Sequence, residues 1–124
     1  GTFSFPTARA FSYYIVVKHR NSLDTWSASP VLMNATTITY NFSDAINKAF
    51  GSNQKLLATG LYGIISGDTD KNGVINTTDL SAIEVKTAVL STGYLATDLN
   101  GDRVVEAVDY SLVENNLGYL VQHP

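Results

Sequence analysis

Asp68-Thr-Asp70-Lys-Asn72-Gly73-Val74-Ile75-Asn76-Thr-Thr-Asp79 decides the fold, together with its echo thirty residues later, Asp98-Leu-Asn100-Gly-Asp102-Arg103-Val104-Val105-Glu106-Ala-Val-Asp109. In both stretches oxygen-bearing side chains fall at positions 1, 3, 5, 9 and 12. A hard cation such as calcium takes six to eight oxygens, and a twelve-residue loop wraps around it with that stagger. Position 7 adds a backbone carbonyl. The candidate ligands are therefore Asp68, Asp70, Asn72, Val74, Asn76 and Asp79 in the first loop. In the second they are Asp98, Asn100, Asp102, Val104, Glu106 and Asp109. Gly73 at position 6 permits the positive φ of a sharp turn. Arg103 holds that position in the second loop, which predicts a backbone cost of about 1–2 kcal/mol there. Four carboxylates in the second loop, against three in the first, work against that strain. With no cysteine in the chain, thiolate sites for soft metals are excluded.

The same thirty-residue shift places Ile75 on Val105, Ile83 on Val113 and Leu90 on Leu120. Leu80, Ile83, Thr87 and Leu90 recur at helical spacing after the first loop, and Val113, Leu117 and Leu120 after the second. The repeat unit is thus a metal loop followed by a helix. Asp79 closes its loop and also stands where a carboxylate favours a helix start.

Charge divides the chain in the same place. Residues 1–66 carry five basic and two acidic side chains, whereas residues 67–124 carry three basic and nine acidic. Crowded carboxylates raise one another's pKa unless a cation sits among them. No basic stripe suggests nucleic acid. No apolar run approaches the roughly 18 residues of a membrane helix. Apolar residues make up 44% of the chain and charged residues 15%, which is enough for a core. With Gly1 in place of an initiator Met and no signal-like segment, the chain reads as a processed or excised piece.

Residues 67–120 resemble a dockerin of type I. That family has two calcium loops, each ending in Asp and followed by one helix; here the expected strand Leu61–Ser66 stands where an EF-hand would have an entering helix. The resemblance implies two bound calcium ions, a secreted bacterial setting and a cohesin-like partner. Recognition in dockerins centres on loop positions 10 and 11. Thr77 and Thr78 resemble the residues common there, whereas Ala107 and Val108 depart from them. Glu84 and Val85 stand where basic residues are frequent.

The first half changes period. Ser12–His19, Thr36–Phe42, Leu61–Ser66 and the short Thr2–Phe5 read as strands, with turn-rich stretches at Asn21–Pro30 and Ser43–Asn53. The run from Tyr13 through Trp26 to Ser27, with Tyr40-Asn-Phe42 and Ala49-Phe50-Gly51, is similar to C-terminal modules of secreted bacterial proteins. In those a β-sandwich leads directly into dockerin-like repeats. The expected fold is mixed β and α: a small immunoglobulin-like β-sandwich over residues 1–66, joined to dockerin-like calcium repeats over residues 67–124. An immunoglobulin-like sandwich needs about seven strands, so a strand supplied in trans is one way to complete it.

No catalytic constellation stands out: two histidines lack any acid–nucleophile pairing. Lys18-His19-Arg20-Asn21 reads as a solvated strand end, and Trp26 as core. The expectation is a non-enzymatic, extracellular calcium-binding structural protein. It would be a subunit of a bacterial surface assembly or pilus-like fibre, with copies of itself as partners. The alternative is a dockerin-type binding module of a larger secreted protein, docking to a cohesin-like or cell-surface partner.

Overall fold

In a computed structural model, residues 2–4, 10–35 and 37–124 are described. The chain runs through β1 (Ser12–Tyr13), β2 (Val16–Val17), β3 (Thr25–Trp26) and β4 (Val31–Leu32). Two short 3₁₀ turns follow at Ile46–Lys48 and Phe50–Ser52. Then come β5 (Lys55–Ala58), β6 (Leu61–Gly63), α1 (Thr77–Ala88) and α2 (Ala107–Glu114). Small mixed β and α is thus the observed class.

The described strands pair two by two and antiparallel: β1 with β4, β2 with β3, β5 with β6. The first two pairs are one hairpin broken by an irregularity. Ser12 faces Leu32 and Val16 faces Trp26, so the returning strand carries two extra residues. Ser27 explains the break. Its hydroxyl accepts from the Ile15 amide at 3.0 Å and donates to the Ser29 carbonyl at 2.9 Å. Pro30 next in line has no N–H to restore the ladder. The continuous strand expected over Ser12–His19 is therefore split, and the stretch expected as turns, Asn21–Pro30, supplies β3. No strand is assigned within residues 37–42, although the Tyr40 and Phe42 rings do meet, 4.8 Å apart. Residues 2–4 carry no strand, and Phe5 and Thr36 of the expected strands lie outside the described residues. These ladders do not make up the sheet layers of an immunoglobulin-like sandwich.

The core lies in the second half. Leu23, Ile65, Ile75, Leu80, Ile83, Val105 and Val113 form one buried cluster, with Leu95, Leu99 and Tyr110 packed on it. Leu23 and Ile65 come from the β half. The Leu23 amide donates to the Ile65 carbonyl at 2.9 Å, and the Gly67 amide to the Asn21 carbonyl at 2.7 Å. That short pairing lays residues 21–23 along the strand that enters the first loop. Trp26 packs against Tyr14 and the ring of His123, which holds the C-terminal tail against the β half.

Both helices are shorter than the apolar spacing predicts. α1 starts because Asn76 caps it: its side chain accepts from the Thr78 amide while Asp79 accepts from the Asn76 amide. It ends at Val89, and Leu90 turns to φ +49° with its side chain exposed. Leu117 and Leu120 likewise lie beyond α2 and are exposed. The residues after each helix have another task. The Ile75 amide donates to the Tyr119 carbonyl and the Val121 amide to the Gly73 carbonyl. In mirror fashion the Gly93 amide donates to the Arg103 carbonyl and the Val105 amide to the Ser91 carbonyl. Each loop is thus clamped by the segment that follows the helix of the other repeat. The tandem repeat closes into a pseudo-twofold pair.

Candidate metal centre

Asp79 is fully buried and organises the first loop. One carboxylate oxygen accepts from the Thr69 amide at 2.7 Å, the Thr69 hydroxyl at 3.0 Å and the Asp70 amide at 3.4 Å. The other accepts from the Asn76 amide at 3.0 Å. Asp109 repeats the arrangement, accepting from the Leu99, Asn100 and Glu106 amides. The last position of each loop therefore ties the loop's start to the first turn of the helix.

Side chains at positions 3 and 5 fold the loops from within. The Asn72 amide donates to Asp70, and the Val74 amide to Asn72 at 2.8 Å. In the second loop the Asp102 amide donates to Asn100 and the Val104 amide to Asp102 at 2.8 Å. These are Asx turns, which shape a loop without any ion. Asn76 uses its side-chain oxygen to cap α1, and Glu106 stands at the start of α2.

Positive φ occurs at two positions per loop. Gly73 has φ +87° and Arg103 φ +75°, as the motif predicts for position 6. Position 4 also requires it, with Lys71 at +60° and Gly101 at +83°. Each loop thus places glycine at one strained position and a long basic residue at the other. Arg103→Gly is expected to leave the fold intact and stabilise it by up to about 1 kcal/mol, the strain relief exceeding the added unfolded-state entropy. Gly73→Ala should do the reverse by about 1–2 kcal/mol, because a Cβ there would also stand 3.1 Å from Val121 Cγ1. Urea denaturation of both variants in excess calcium checks the pair.

Three carboxylates converge in the first loop. Asp68, Asp70 and Asp79 each place one oxygen within 4.8 Å of the others. Two oxygens bound to one calcium at about 2.4 Å lie at most about 4.8 Å apart, so this grouping fits the ion. Asp68 Oδ1 is buried and has no hydrogen-bond partner, while Oδ2 accepts from the Gly73 amide at 3.2 Å. An unpaired buried carboxylate oxygen is costly unless a cation takes it. In the second loop Asp98 uses both oxygens on loop amides, Oδ1 on Gly101 and Oδ2 on Arg103. The residue pattern is repeated there, but the tight three-carboxylate grouping is seen in the first loop.

Burial pushes the Asp68 carboxyl up, and the charges of Asp79 and Asp70 add to this. Lys71 and the Gly73 amide pull in the other direction without prevailing. A carboxyl whose pKa is higher folded than unfolded binds more protons in the folded state. Its contribution to stability is therefore lost as pH rises through the raised value. The calcium-free chain is expected to lose more melting temperature than its Asp68→Asn variant as pH climbs out of the carboxylate range, a comparison that cancels the opposite contribution of Asp24. Calcium, which requires the ionised form, should reverse that slope. Thermal melts across pH, with chelator and with calcium, check the sign.

Sequence reading missed one set of contacts. The Lys18–Asn21 stretch ends not in solvent but on the second loop. Arg20 Nη2 donates to the Asp98 carbonyl at 2.6 Å, and Asn21 Nδ2 to the same oxygen at 3.2 Å. Lys71 reaches back from the first loop to the Ser22 carbonyl and to Asp24. Burial alone would raise the Asp24 carboxyl, yet its hydrogen bonds to Lys18 and Lys71 outweigh this and hold it below its usual range. The Arg-Asn pair gave no local signal, since its partner lies more than seventy residues away.

A family profile, the Dockerin type I domain, matches residues 66–118. Those residues form a dockerin-like module. The match spans both loops and both helices, and its start falls on Ser66, where the chain leaves its pairing with Ser22. Dockerin type I domains bind calcium, which is the ion that the Asp68–Asp70–Asp79 grouping fits. The dockerin is a non-catalytic binding module. No curated protein and no solved structure matches the chain. Among the described residues, no helix of the dockerin-like module or of the β half is long and apolar enough to cross a membrane.

Proposed function

We propose that this chain is a calcium-loaded, non-enzymatic docking module of a secreted bacterial protein, whose partner is a cohesin-like module. The observation that carries the reading is the dockerin match over residues 66–118, laid on two loops with the same internal hydrogen-bond pattern. In this reading the twelve residues at loop positions 1, 3, 5, 7, 9 and 12 serve two calcium ions. They are Asp68, Asp70, Asn72, Val74, Asn76 and Asp79, then Asp98, Asn100, Asp102, Val104, Glu106 and Asp109. Calcium's role is structural: it neutralises the buried carboxylates and links the helices' geometry to extracellular calcium. Residues 1–66 act as a supporting β unit and residues 67–124 as the docking unit.

The docking face follows from exposure. Thr77 and Thr78 are exposed on the first turn of α1, and Ala107 and Val108 on the first turn of α2. Val85 on α1 and Val89 just past its end add exposed apolar surface. A hydroxyl-bearing turn beside an apolar stripe suits an interface with a hydrophobic centre and a polar rim. Replacing Thr77 and Thr78 together by Arg is expected to weaken cohesin binding at least about tenfold, since each buried like-charge or unpaired group costs about 1–3 kcal/mol. Calcium binding should survive, because neither side chain is a ligand. Surface-based binding assays against a panel of cohesin modules, in calcium and in chelator, test this. Absence of binding by a folded, calcium-loaded chain would argue against the cohesin partner.

The competing reading, a self-assembling fibre subunit, draws on the two-stranded ladders and on Leu56, Leu57 and Leu61, all exposed on the β5–β6 hairpin. Open edges of that kind accept a strand from a neighbour. Light scattering in millimolar calcium separates the two: a polymer favours the subunit, a monomer the docking module.

A further inference from the structure

Residues 20–24 touch both loops at once. Arg20 and Asn21 donate to the backbone carbonyl of Asp98, the first residue of the second loop. Ser22 and Asp24 receive Lys71, from position 4 of the first loop, whose ammonium also lies 3.7 Å from Asp68 Oδ2. Leu23 between them is fully buried in the shared core. Asn21 and Ser22 are buried too. His19 Nδ1 lies 2.9 Å from Asn21 Oδ1, which turns the amide so that its nitrogen faces Asp98. Arg20 is steadied from outside by the exposed Tyr94 ring, 3.9 Å from the guanidinium carbon.

We propose that Arg20 and Asn21, from the β half, are positioning residues for calcium at the second loop: they fix the Asp98 peptide from which the first ligand projects. The second loop needs that outside hold more than the first. It carries Arg103 at positive φ, and its carboxylates are not gathered as those of the first loop are. The Arg20 guanidinium stays 3.8 Å from Asp98 Oδ2, an ion-pair distance too long for a direct hydrogen bond, so its hydrogen bond goes to the Asp98 carbonyl. Groups that hold a ligand in place from behind typically change metal affinity about 10–100-fold. The β half is thus part of the second calcium site, although it supplies no ligand.

This inference rests on the reading that both loops bind calcium. The test is a calcium titration of the full chain by amide NMR, following Gly73 for the first loop and Gly101 for the second. Asn21→Ala is expected to weaken calcium at Gly101 about tenfold and to leave Gly73 unchanged. Tyr94→Ala, at a side chain exposed enough to be safe for folding, should shift Gly101 in the same direction by less. Loop-two affinity unchanged in both variants overturns the proposal. So does an equal loss at both loops, which would mark general destabilisation. A Gly101 amide that ignores calcium in the unaltered chain defeats the two-site reading itself, and this inference with it.

Discussion

Stripping calcium is expected to cost this chain most of its tertiary structure. Asp68, Asp79, Asp98 and Asp109 are all buried; loop amides hydrogen-bond to each of them, but Asp68 Oδ1 has no partner and the four carboxylates share two small loops that a cation would neutralise. The apolar cluster that opposes this has few large members: Leu23, Ile65, Ile75, Leu80, Ile83, Val105 and Val113. An ion that binds only the folded chain adds about 4 kcal/mol per site when its concentration is a thousand times Kd. That is comparable to the whole stability of many small domains, which is about 5–15 kcal/mol. Excess chelator should therefore lower the melting temperature by tens of degrees or abolish the cooperative transition. The Asx turns, such as Val74 on Asn72, need no ion to form and are expected to limit the loss to tertiary order and the helix ends. Circular dichroism with chelator, then with calcium restored, reads both. An unchanged melt would mean that calcium is incidental to the fold.

The largest single-residue effect is expected at Asp79. Its carboxylate accepts four hydrogen bonds, three from backbone amides and one from the Thr69 hydroxyl, and it belongs to the three-carboxylate group. Asp79→Ala strands those donors in a buried place, at about 1–3 kcal/mol for each left unpaired. It removes the α1 capping box, worth about 0.5–2 kcal/mol, and deletes one carboxylate of the group that fits calcium. A loss of at least about 4 kcal/mol follows in calcium, enough to leave the first repeat unfolded. Asp79→Asn, which keeps the shape but not the charge, should lose calcium at the first loop while keeping more of the helix. Calorimetric titration of the Asn variant and denaturation of the Ala variant check the two parts separately.

The second half was legible because its information is local. Ligand spacing, Gly73 at position 6 and the strain at Arg103 are all properties of twelve consecutive residues, and the structure places φ as expected at both. The need for positive φ at Lys71 was missed because lysine does not announce it; the signal lay thirty residues on, in Gly101 at the same position of the second loop. The apolar periodicity over-extended the helices. Leu90, Leu117 and Leu120 keep the spacing, but the chain turns out of each helix to clamp the opposite loop. That clamp is a tertiary demand, and helix propensity yields to it.

The β half was read less well for a related reason. Its strands are two to four residues long, too short for alternation to set their bounds. Ser27 breaks the hairpin through a side-chain hydrogen bond that no pattern encodes. The contacts that join the halves, Arg20 and Asn21 on Asp98, and Lys71 on Ser22 and Asp24, link residues far apart in sequence. A charged cluster at a strand end looks the same whether it meets water or a loop carbonyl.

If calcium in two dockerin-type loops holds this chain in the proposed docking form, the ions can be counted. Isothermal titration of the calcium-stripped full chain, with helical circular dichroism followed in parallel, is the measurement. Two calcium ions per chain are expected to bind, with a gain of helical signal as they do. Fewer than two, or binding with no structural response, would contradict it.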